Sequence, residues 1–221
     1  MAKRTNSWSS KRGHGISIPV GKNVLFIYCG ECTEPQYFSS VFKLIAKIFL
    51  EKSHGQTRLD YDDTIDAVDP LNMARDIKSI IESKNKFYDE VWVVFDKDSF
   101  MKDNFDNAIH SIMSMNKSSR TSFVPLWSNQ CIELWFILHF EFLQSAQFRA
   151  DYYPKLEKYL HKKYLKNNPN ILTDIFNSKG SLESACKNAE KLLEIHKDDS
   201  YSNKWPATNV VELFKKYKNY L

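Results

Sequence analysis

The chain has 221 residues, of which 43% are hydrophobic and 26% carry a charge, and these values exclude a wholly disordered protein. The low content of 6 Gly and 7 Pro excludes a collagen-like or low-complexity chain, and 4 Cys are too few for a disulfide framework. The net charge of +4 permits a polyanionic partner without requiring one, so we expect a reduced, globular protein with a sizeable core.

Residues 1–21 are basic and show no apolar periodicity. Lys11 and Arg12 lie in this segment, which we interpret as a flexible arm able to follow a phosphate backbone; a solvated tail is the alternative. The segment lacks the apolar core of a secretory signal, and no apolar run in the chain reaches the roughly 20 residues of a membrane span. We expect a cytoplasmic protein without membrane contact.

Residues 22–127 alternate apolar strands with amphipathic helices. Strands are predicted at Val24–Tyr28, Arg58–Asp66, Val91–Phe95 and Thr121–Trp127. The first and third are continuous apolar runs, which are typical of strands buried on both faces. This alternation implies an α/β fold with a mostly parallel, four-stranded sheet flanked by helices.

The helices between these strands carry start signals. Thr33 is the expected N-cap of the first helix, with Gln36 completing a capping box. Asp69 is the expected cap of the second helix, and Pro70 takes its first position. A third helix is predicted over Asn104–Met115 from its spacing of apolar residues.

The character of the chain changes after about residue 144. Before that point, Gln130–Phe142 is apolar nearly all round and is predicted to be a central helix. After it, lysine-rich helices are predicted over Tyr153–Lys166, Leu182–His196 and Val210–Tyr220. We therefore divide the chain into an α/β domain at 22–143 and a helical C-terminal section at 144–221 that packs on it.

Acidic residues follow two of the buried strands. Glu31 and Glu34 come after the first, and Asp96 and Asp98 come after the third, where continued strand geometry would point both aspartates to one side. Sites in open parallel sheets form beyond the carboxyl ends of the strands, and carboxylates there suit Mg²⁺ or Mn²⁺ acting on a phosphodiester. For either cluster alone, turn formation or helix capping is the better interpretation.

Three segments resemble motifs of RloB-like proteins: Ile27–Phe38, Asp89–Phe100 and Ser128–Phe140. The tail, with Ala185–Ala189 and Pro206–Thr208, is similar as well. The resemblance implies a Toprim-type α/β domain and a metal-dependent nuclease of RNA, including tRNA, or of DNA. It also implies a role in anti-phage defence and a partner ATPase of the ABC or AAA type from the same locus.

The resemblance also implies roles for individual residues. Asp96, Asp98 and Glu34 would hold Mg²⁺ or Mn²⁺, and Glu31 with Glu34 would supply the general base. Glu133 would support the site, as would Asn129 by orienting the phosphate or a carboxylate. For Glu133 the alternative is a structural pairing with a lysine, with Ser128 capping the helix.

One position departs from the Toprim pattern. Cys29 stands where the pattern places a glutamate before Gly30, while Glu34, Asp96 and Asp98 are retained. A thiol is a poor ligand for Mg²⁺. This motivates an alternative function, a catalytically weak relative that serves as a nucleic-acid- or protein-binding regulatory subunit.

The remaining motifs have less specific interpretations. Cys29 and Cys32 form a C-x-x-C pair, which we interpret as a chance spacing rather than as a redox or zinc motif. We expect His139 to be a core residue and Lys97 an exposed charge. Basic residues with interleaved tyrosines suit a nucleic-acid strand or, equally, a solvated helix face; they include Lys158, Lys162 and Lys163. A homodimer is left open.

Overall fold

The computed structural model describes residues 21–66 and 68–220, and strands alternate with helices over the first part of this range. The strands are β1 (Lys22–Tyr28), β2 (Leu59–Ile65), β3 (Glu90–Asp96), β4 (Ser122–Asn129) and β5 (Ala207–Thr208). The helices are α1 (Thr33–Lys52), α2 (Pro70–Lys84), α3 (Lys102–Ser114), α4 (Glu133–Leu138), α5 (Arg149–Leu160), α6 (Ile171–Asn177), α7 (Leu182–Ile195) and α8 (Val211–Tyr217). Short 3₁₀ turns follow at Met115–Lys117, Tyr201–Asn203 and Lys218–Tyr220.

The sheet has the strand order β2-β1-β3-β4-β5. The first four strands in this order are parallel, and β5 pairs antiparallel with β4. β1 and β3 lie side by side at its centre, and every residue of β3 is buried. The α/β class and the mostly parallel sheet are therefore confirmed, and the fifth strand is an addition from the C-terminal section.

That fifth strand has no sequence signal because it is only two residues long. The following residue, Asn209, extends the pairing with its side chain: Oδ1 accepts from the Trp127 amide at 2.6 Å, and Nδ2 donates to the Pro125 carbonyl at 2.8 Å. These bonds satisfy backbone groups that the edge of β4 would otherwise expose.

The start of α1 corrects the predicted capping box. Cys32, not Thr33, precedes the helix, and no side chain caps it. The Thr33 hydroxyl donates instead to the Lys166 carbonyl at 3.2 Å, and the Gln36 amide donates to the Asn167 side chain. Both groups therefore bind the loop before α6. The Asp69 cap is confirmed, because its carboxylate accepts from the Leu71 amide at 3.0 Å.

The predicted helix over 130–142 is also corrected. Only α4 is helical, and all six of its residues are buried. β4 extends to Asn129, and the Gln130 carbonyl accepts from the Asp98 amide at 3.0 Å, so the chain cannot begin a helix there. At the other end, the His139 carbonyl accepts from the Ser181 amide at 2.9 Å rather than continuing the helix.

The C-terminal section covers this central helix. The Trp135 ring stacks on Phe214 of α8 at 5.2 Å between centroids, and Asn188 of α7 donates to the Leu138 carbonyl at 2.9 Å. The predicted helix over Tyr153–Lys166 is wrong in its bounds, because α5 begins earlier and ends at Leu160. The short helix α6 was not predicted. None of the helices in the described part of the chain combines the length and apolar character that a membrane span requires.

Candidate active site

An acidic cavity lies at the carboxyl ends of β1 and β3. It consists of two adjoining spaces of about 270 and 250 Å³ that share Gly30, Glu34, Asp96 and Asp98. Glu34 comes from the first turn of α1, Asp96 is the last residue of β3, and Glu133, which also lines the cavity, is the first residue of α4. Parallel strands thus bring together acids that lie far apart in the sequence.

Three of these carboxylates are almost fully buried. Glu34 is 7% exposed, Asp96 8% and Glu133 2%. Burial raises the pKa of Asp96 well above its usual range, and the charges of Glu34 and Glu133 raise it further. The Ile132 amide, 3.1 Å from Asp96 Oδ2, opposes this shift only in part. The site therefore concentrates negative charge that a bound cation would stabilise.

Glu34 is in the same situation. Burial raises the pKa of Glu34, and a hydrogen bond from its own backbone amide lowers it. The charge of Glu133 raises this pKa further. Arg149 and Lys166 also act to lower the pKa of Glu34. Gly30 permits its position, because a Cβ at residue 30 would overlap the Glu34 carboxylate.

Glu133 is held by a tyrosine. The Tyr164 hydroxyl donates to Glu133 Oε1 at 2.9 Å. Ser128, offered as a cap for this helix, instead contacts the Thr208 hydroxyl at 3.0 Å across the β4–β5 pair. Among the residues that the structure describes, Glu133 therefore bonds to a tyrosine and not to a lysine, and Ser128 does not cap the helix.

Asp98 reaches the cavity by a turn rather than by strand geometry. β3 ends at Asp96, and Asp98 has a φ of 43°, so alternation along the strand does not place the two aspartates. The Asp98 carboxylate forms an ion pair with Arg149, the first residue of α5. The Arg149 backbone amide donates to Gln130 Oε1 at 3.0 Å, which fixes the start of α5 against the cavity.

Arg149 is a cavity residue that sequence reasoning missed; Lys166 and Tyr164 belong to the predicted set of lysines with interleaved tyrosines, but their place beside the acids was not predicted. They belong to the C-terminal section and form no motif with the acidic clusters. For Arg149 the available signal was a basic residue near the start of the C-terminal section, and for Lys166 and Tyr164 it was the interleaving of lysines with tyrosines. The two cations place positive charge beside the buried carboxylates, as a site for a phosphate group requires.

Cys29 lines the cavity as a neutral thiol. Its Sγ donates to the Val68 carbonyl at 2.7 Å, and burial, followed by the charge of Glu34, raises its pKa to about 12. Its hydrogen bond and raised pKa keep this thiol protonated at neutral pH, and a protonated thiol is a weak nucleophile. Cys32 is exposed, and both are free cysteines, so the geometry gives no support to redox or zinc chemistry.

The other predicted site residues are dispersed. Glu31 lies exposed at the rim of the cavity. Asn129 is a correction: its side-chain amide is buried and donates to the Ser202 carbonyl at 3.0 Å, away from the cavity lining. Lys97 is also a correction, because it is buried and donates to the Phe100 carbonyl instead of standing in solvent.

The expected core histidine is in place. His139 is buried, its Nδ1 lies 3.0 Å from the Trp135 carbonyl, and burial lowers its pKa to about 4, so it is neutral at physiological pH. Among the predicted nucleic-acid contacts, Lys158 and Lys163 are exposed, and Lys162 pairs with Asp174 at 2.5 Å. Lys11 and Arg12 lie outside the described residues.

The carboxylates of the acidic cavity fit Mg²⁺ or Mn²⁺ only as part of a ligand set that waters and substrate would complete. Within residues 21–66 and 68–220, no group of three or more His, Cys, Asp or Glu is placed to hold a metal ion. Mg²⁺ is usually held by one or two carboxylates, with waters and substrate phosphate as further ligands. Glu34 and Asp96 provide such a pair; burial raises the pKa of each, and the charges of neighbouring carboxylates raise it further.

A mostly parallel sheet with an acidic cavity at the carboxyl ends of its strands agrees with a Toprim-like α/β protein. Comparison with protein families matches residues 25–216 to the RloB-like protein family. Because the match covers most of the chain, the protein belongs to that family. No curated protein and no solved structure matches the chain.

Proposed function

We propose that the protein is a metal-dependent nuclease that cleaves phosphodiester bonds in RNA, including tRNA, or in DNA. The observation that carries this proposal is the convergence of Glu34, Asp96 and Glu133 in one cavity, with Arg149 and Lys166 beside them. Buried acids next to a half-buried arginine and an exposed lysine are the arrangement expected for a cation and a phosphate bound side by side.

The residues divide into two groups by charge. Glu34 and Asp96 would hold Mg²⁺ or Mn²⁺, with Asp98 as a further ligand when it leaves Arg149. When bound, the cation would polarise the phosphate and lower the pKa of a coordinated water. Arg149 and Lys166 would bind the phosphate oxygens, and Glu31 at the rim would accept a proton. Tyr164 would keep Glu133 oriented towards the cavity.

The test is cleavage of labelled tRNA, single-stranded RNA and plasmid DNA with Mg²⁺, with Mn²⁺ and with EDTA. Asp96→Asn should lower the rate by at least about 100-fold. Asp60→Asn is the matched control, because Asp60 is an exposed carboxylate on the edge strand β2, and it should cleave at the wild-type rate. Cleavage that survives EDTA, or an unimpaired Asp96→Asn variant, would contradict the proposal.

We also propose that this activity serves anti-phage defence under the control of an ABC- or AAA-type ATPase. The support is membership of the RloB-like family together with the resemblance of its motifs. Cells carrying the locus should lower phage plating, and the Asp96→Asn variant should restore it. Protection that depends on neither Asp96 nor the neighbouring ATPase would exclude this role.

A second candidate function is favoured by one observation. Cys29 is a neutral thiol where the Toprim pattern has a glutamate, and no group of three or more His, Cys, Asp or Glu in the described residues is placed to hold a metal ion. The alternative is therefore a catalytically weak relative that binds nucleic acid or protein as a regulatory subunit. Oligonucleotide binding without cleavage, with either metal and with the ATPase added, would favour it over the nuclease.

A further inference from the structure

A second cavity, of about 540 Å³, adjoins the acidic cavity on the other side of the Arg149–Asp98 ion pair. We call it the aromatic cavity; it is lined by Ser99, Gln130, Phe148, Ala150 and Tyr153, together with Asp98 and Arg149. Asp98 and Arg149 line both cavities, so whatever occupies one lies beside the other. The volume falls within the range of small-molecule sites.

One wall of this cavity is an exposed aromatic ring. Phe148 is 63% exposed, and the Trp205 ring contacts it at 5.2 Å with an interplanar angle of 66°. The Trp205 indole N–H donates to the Gln147 carbonyl at 3.2 Å, which anchors this edge contact. Phe148 is thus supported from one side while most of its surface stands in water, and Tyr153 provides a second ring in the same cavity.

Polar groups complete the lining. Gln130 uses its side-chain oxygen for the Arg149 amide, and its amide nitrogen makes no hydrogen bond to the described residues. Arg149 Nε is buried without a hydrogen-bond partner in that same part of the chain. The cavity therefore combines ring surface with the Gln130 amide donor, which is available to a planar, polar ligand, whereas Arg149 Nε is buried behind the lining.

Charge identifies the class of ligand. Arg149 links this cavity to the acidic cavity, where Lys166 adds a second positive charge. A polyanion with a phosphate at Arg149 and Lys166 would place its adjoining group in the aromatic cavity. Rings beside cationic side chains that bind a phosphate are usual elements for binding single-stranded nucleic acid, because every base has a face that can stack.

We propose that the aromatic cavity binds an unstacked base of single-stranded RNA or DNA, next to the phosphate held by Arg149 and Lys166. This inference rests on the proposed function for the identity of the polymer, and it names the substrate class as single-stranded or looped rather than duplex. A base within a duplex is stacked on both faces and enters such a cavity only at the cost of unstacking and unpairing.

The experiment measures binding, not cleavage. Fluorescence anisotropy with the full chain in EDTA compares a labelled single strand, as RNA and as DNA, with the blunt duplex of the same sequence. Phe148→Ala should weaken single-strand binding by about 5- to 100-fold, and Phe148→Trp should retain it. Phe87→Ala is the matched control, since Phe87 is 57% exposed before β3, at the opposite end of the sheet.

A second readout reports stacking directly. A single strand that carries 2-aminopurine should lose fluorescence on binding to the wild type and to Phe87→Ala, but not to Phe148→Ala. Circular dichroism and thermal unfolding verify that each variant is folded. The two arms, RNA and DNA, show which sugar the site accepts.

The results of these binding measurements distinguish a failure of this inference from a failure of the proposed nuclease function. Weaker binding and lost quenching in Phe148→Ala support the aromatic cavity even if the wild type cleaves nothing, in which case only the nuclease fails. Equal binding by Phe148→Ala and wild type overturns the inference even if cleavage is observed. It is also overturned if the duplex binds as tightly as the single strand, or if no single strand binds.

Discussion

At the scale of single residues, Asp96 is a carboxylate whose surroundings disfavour its charge. Its pKa is raised by burial and by Glu34 and Glu133, so the folded state holds a proton more readily than the unfolded state does. An aspartate in the unfolded chain has a pKa of about 3.9. Below that pH the raised pKa of Asp96 does not change the free energy of unfolding. As the pH rises from about 3.9 to the pKa of Asp96 in the folded state, the protein is progressively destabilised.

Asp96→Asn should therefore stabilise the protein at neutral pH by about 0.5–2 kcal/mol, because it removes a buried charge and can keep the bond from the Ile132 amide. The measurement is urea unfolding of both proteins between pH 4 and pH 8. The gain should be largest at pH 8 and shrink towards pH 4. A destabilised Asp96→Asn variant at pH 8 would show that the charge is compensated in the fold.

Gly30 provides a second prediction at this scale. A Cβ at residue 30 overlaps only the flexible end of Glu34, so Gly30→Ala should change the free energy of unfolding by less than about 1 kcal/mol. It should nevertheless displace the Glu34 carboxylate and weaken Mn²⁺ binding by about 10-fold, as measured by calorimetry.

The matched control for Gly30→Ala is the same change in a Glu34→Ala background. With no carboxylate to displace, the added methyl group should have no further effect on Mn²⁺ affinity. Equal losses in both backgrounds would mean that Gly30 acts through the backbone and not through Glu34.

At the scale of elements, Glu90 ties the first residue of β3 to β1 and α8. Its buried carboxylate accepts from Lys22 at 2.7 Å, from the Tyr217 hydroxyl at 2.7 Å and from the Trp92 indole at 3.2 Å, and Lys216 lies at 3.3 Å. Burial alone would raise the pKa of Glu90, but the bonds from Lys22 and Tyr217 and the charge of Lys216 outweigh it and lower the pKa.

Glu90→Gln should destabilise the protein by about 1–3 kcal/mol, because an amide cannot accept all of these bonds or compensate the lysine charges. A glutamate in the unfolded chain has a pKa of about 4.3. Above that pH the lowered pKa of Glu90 makes its full contribution to the free energy of unfolding. This contribution is lost as the pH falls through the pKa of Glu90 in the folded protein. The difference between wild type and variant in urea unfolding should thus be constant at pH 6–8 and shrink below about pH 4. A pH-independent difference would contradict this.

At the scale of the whole molecule, the C-terminal section completes both the core and the site. It supplies Phe214 to the fully buried Trp135, β5 to the edge of β4, and Arg149, Tyr164 and Lys166 to the acidic cavity. The boundary at residue 143 stays a prediction, but these contacts determine what a truncation should do.

A chain that ends at residue 143 should not fold to a native state, because α4 would expose its apolar face and the β4 edge would lose its partners. The expected result is loss of near-ultraviolet circular dichroism and binding of a hydrophobic dye, with the full chain as the control. A truncated chain with native near-ultraviolet dichroism would show that residues 22–143 are an independent domain.

The sequence by itself determined the features that local patterns of residues encode. β1 and β3 are continuous apolar runs because both of their faces are buried, and Asp69 with Pro70 is a complete helix start. The order of strands and helices follows from these signals, as does the position of the acidic residues at strand ends. The three motifs around Gly30, Asp96 and Glu133, with the similar tail, likewise identified the family.

What only the tertiary structure decided depends on contacts between distant parts of the chain. Thr33 binds Lys166 across 133 residues, Tyr164 reaches Glu133, and Arg149 takes Asp98 as its partner. Short loops and two-residue strands such as β5 carry no periodicity, so neither their pairing nor these contacts could be read from spacing. The sequence therefore located the acids, whereas packing of the C-terminal section decided which cations and rings lie beside them, because that packing depends on shape and charge over the whole fold.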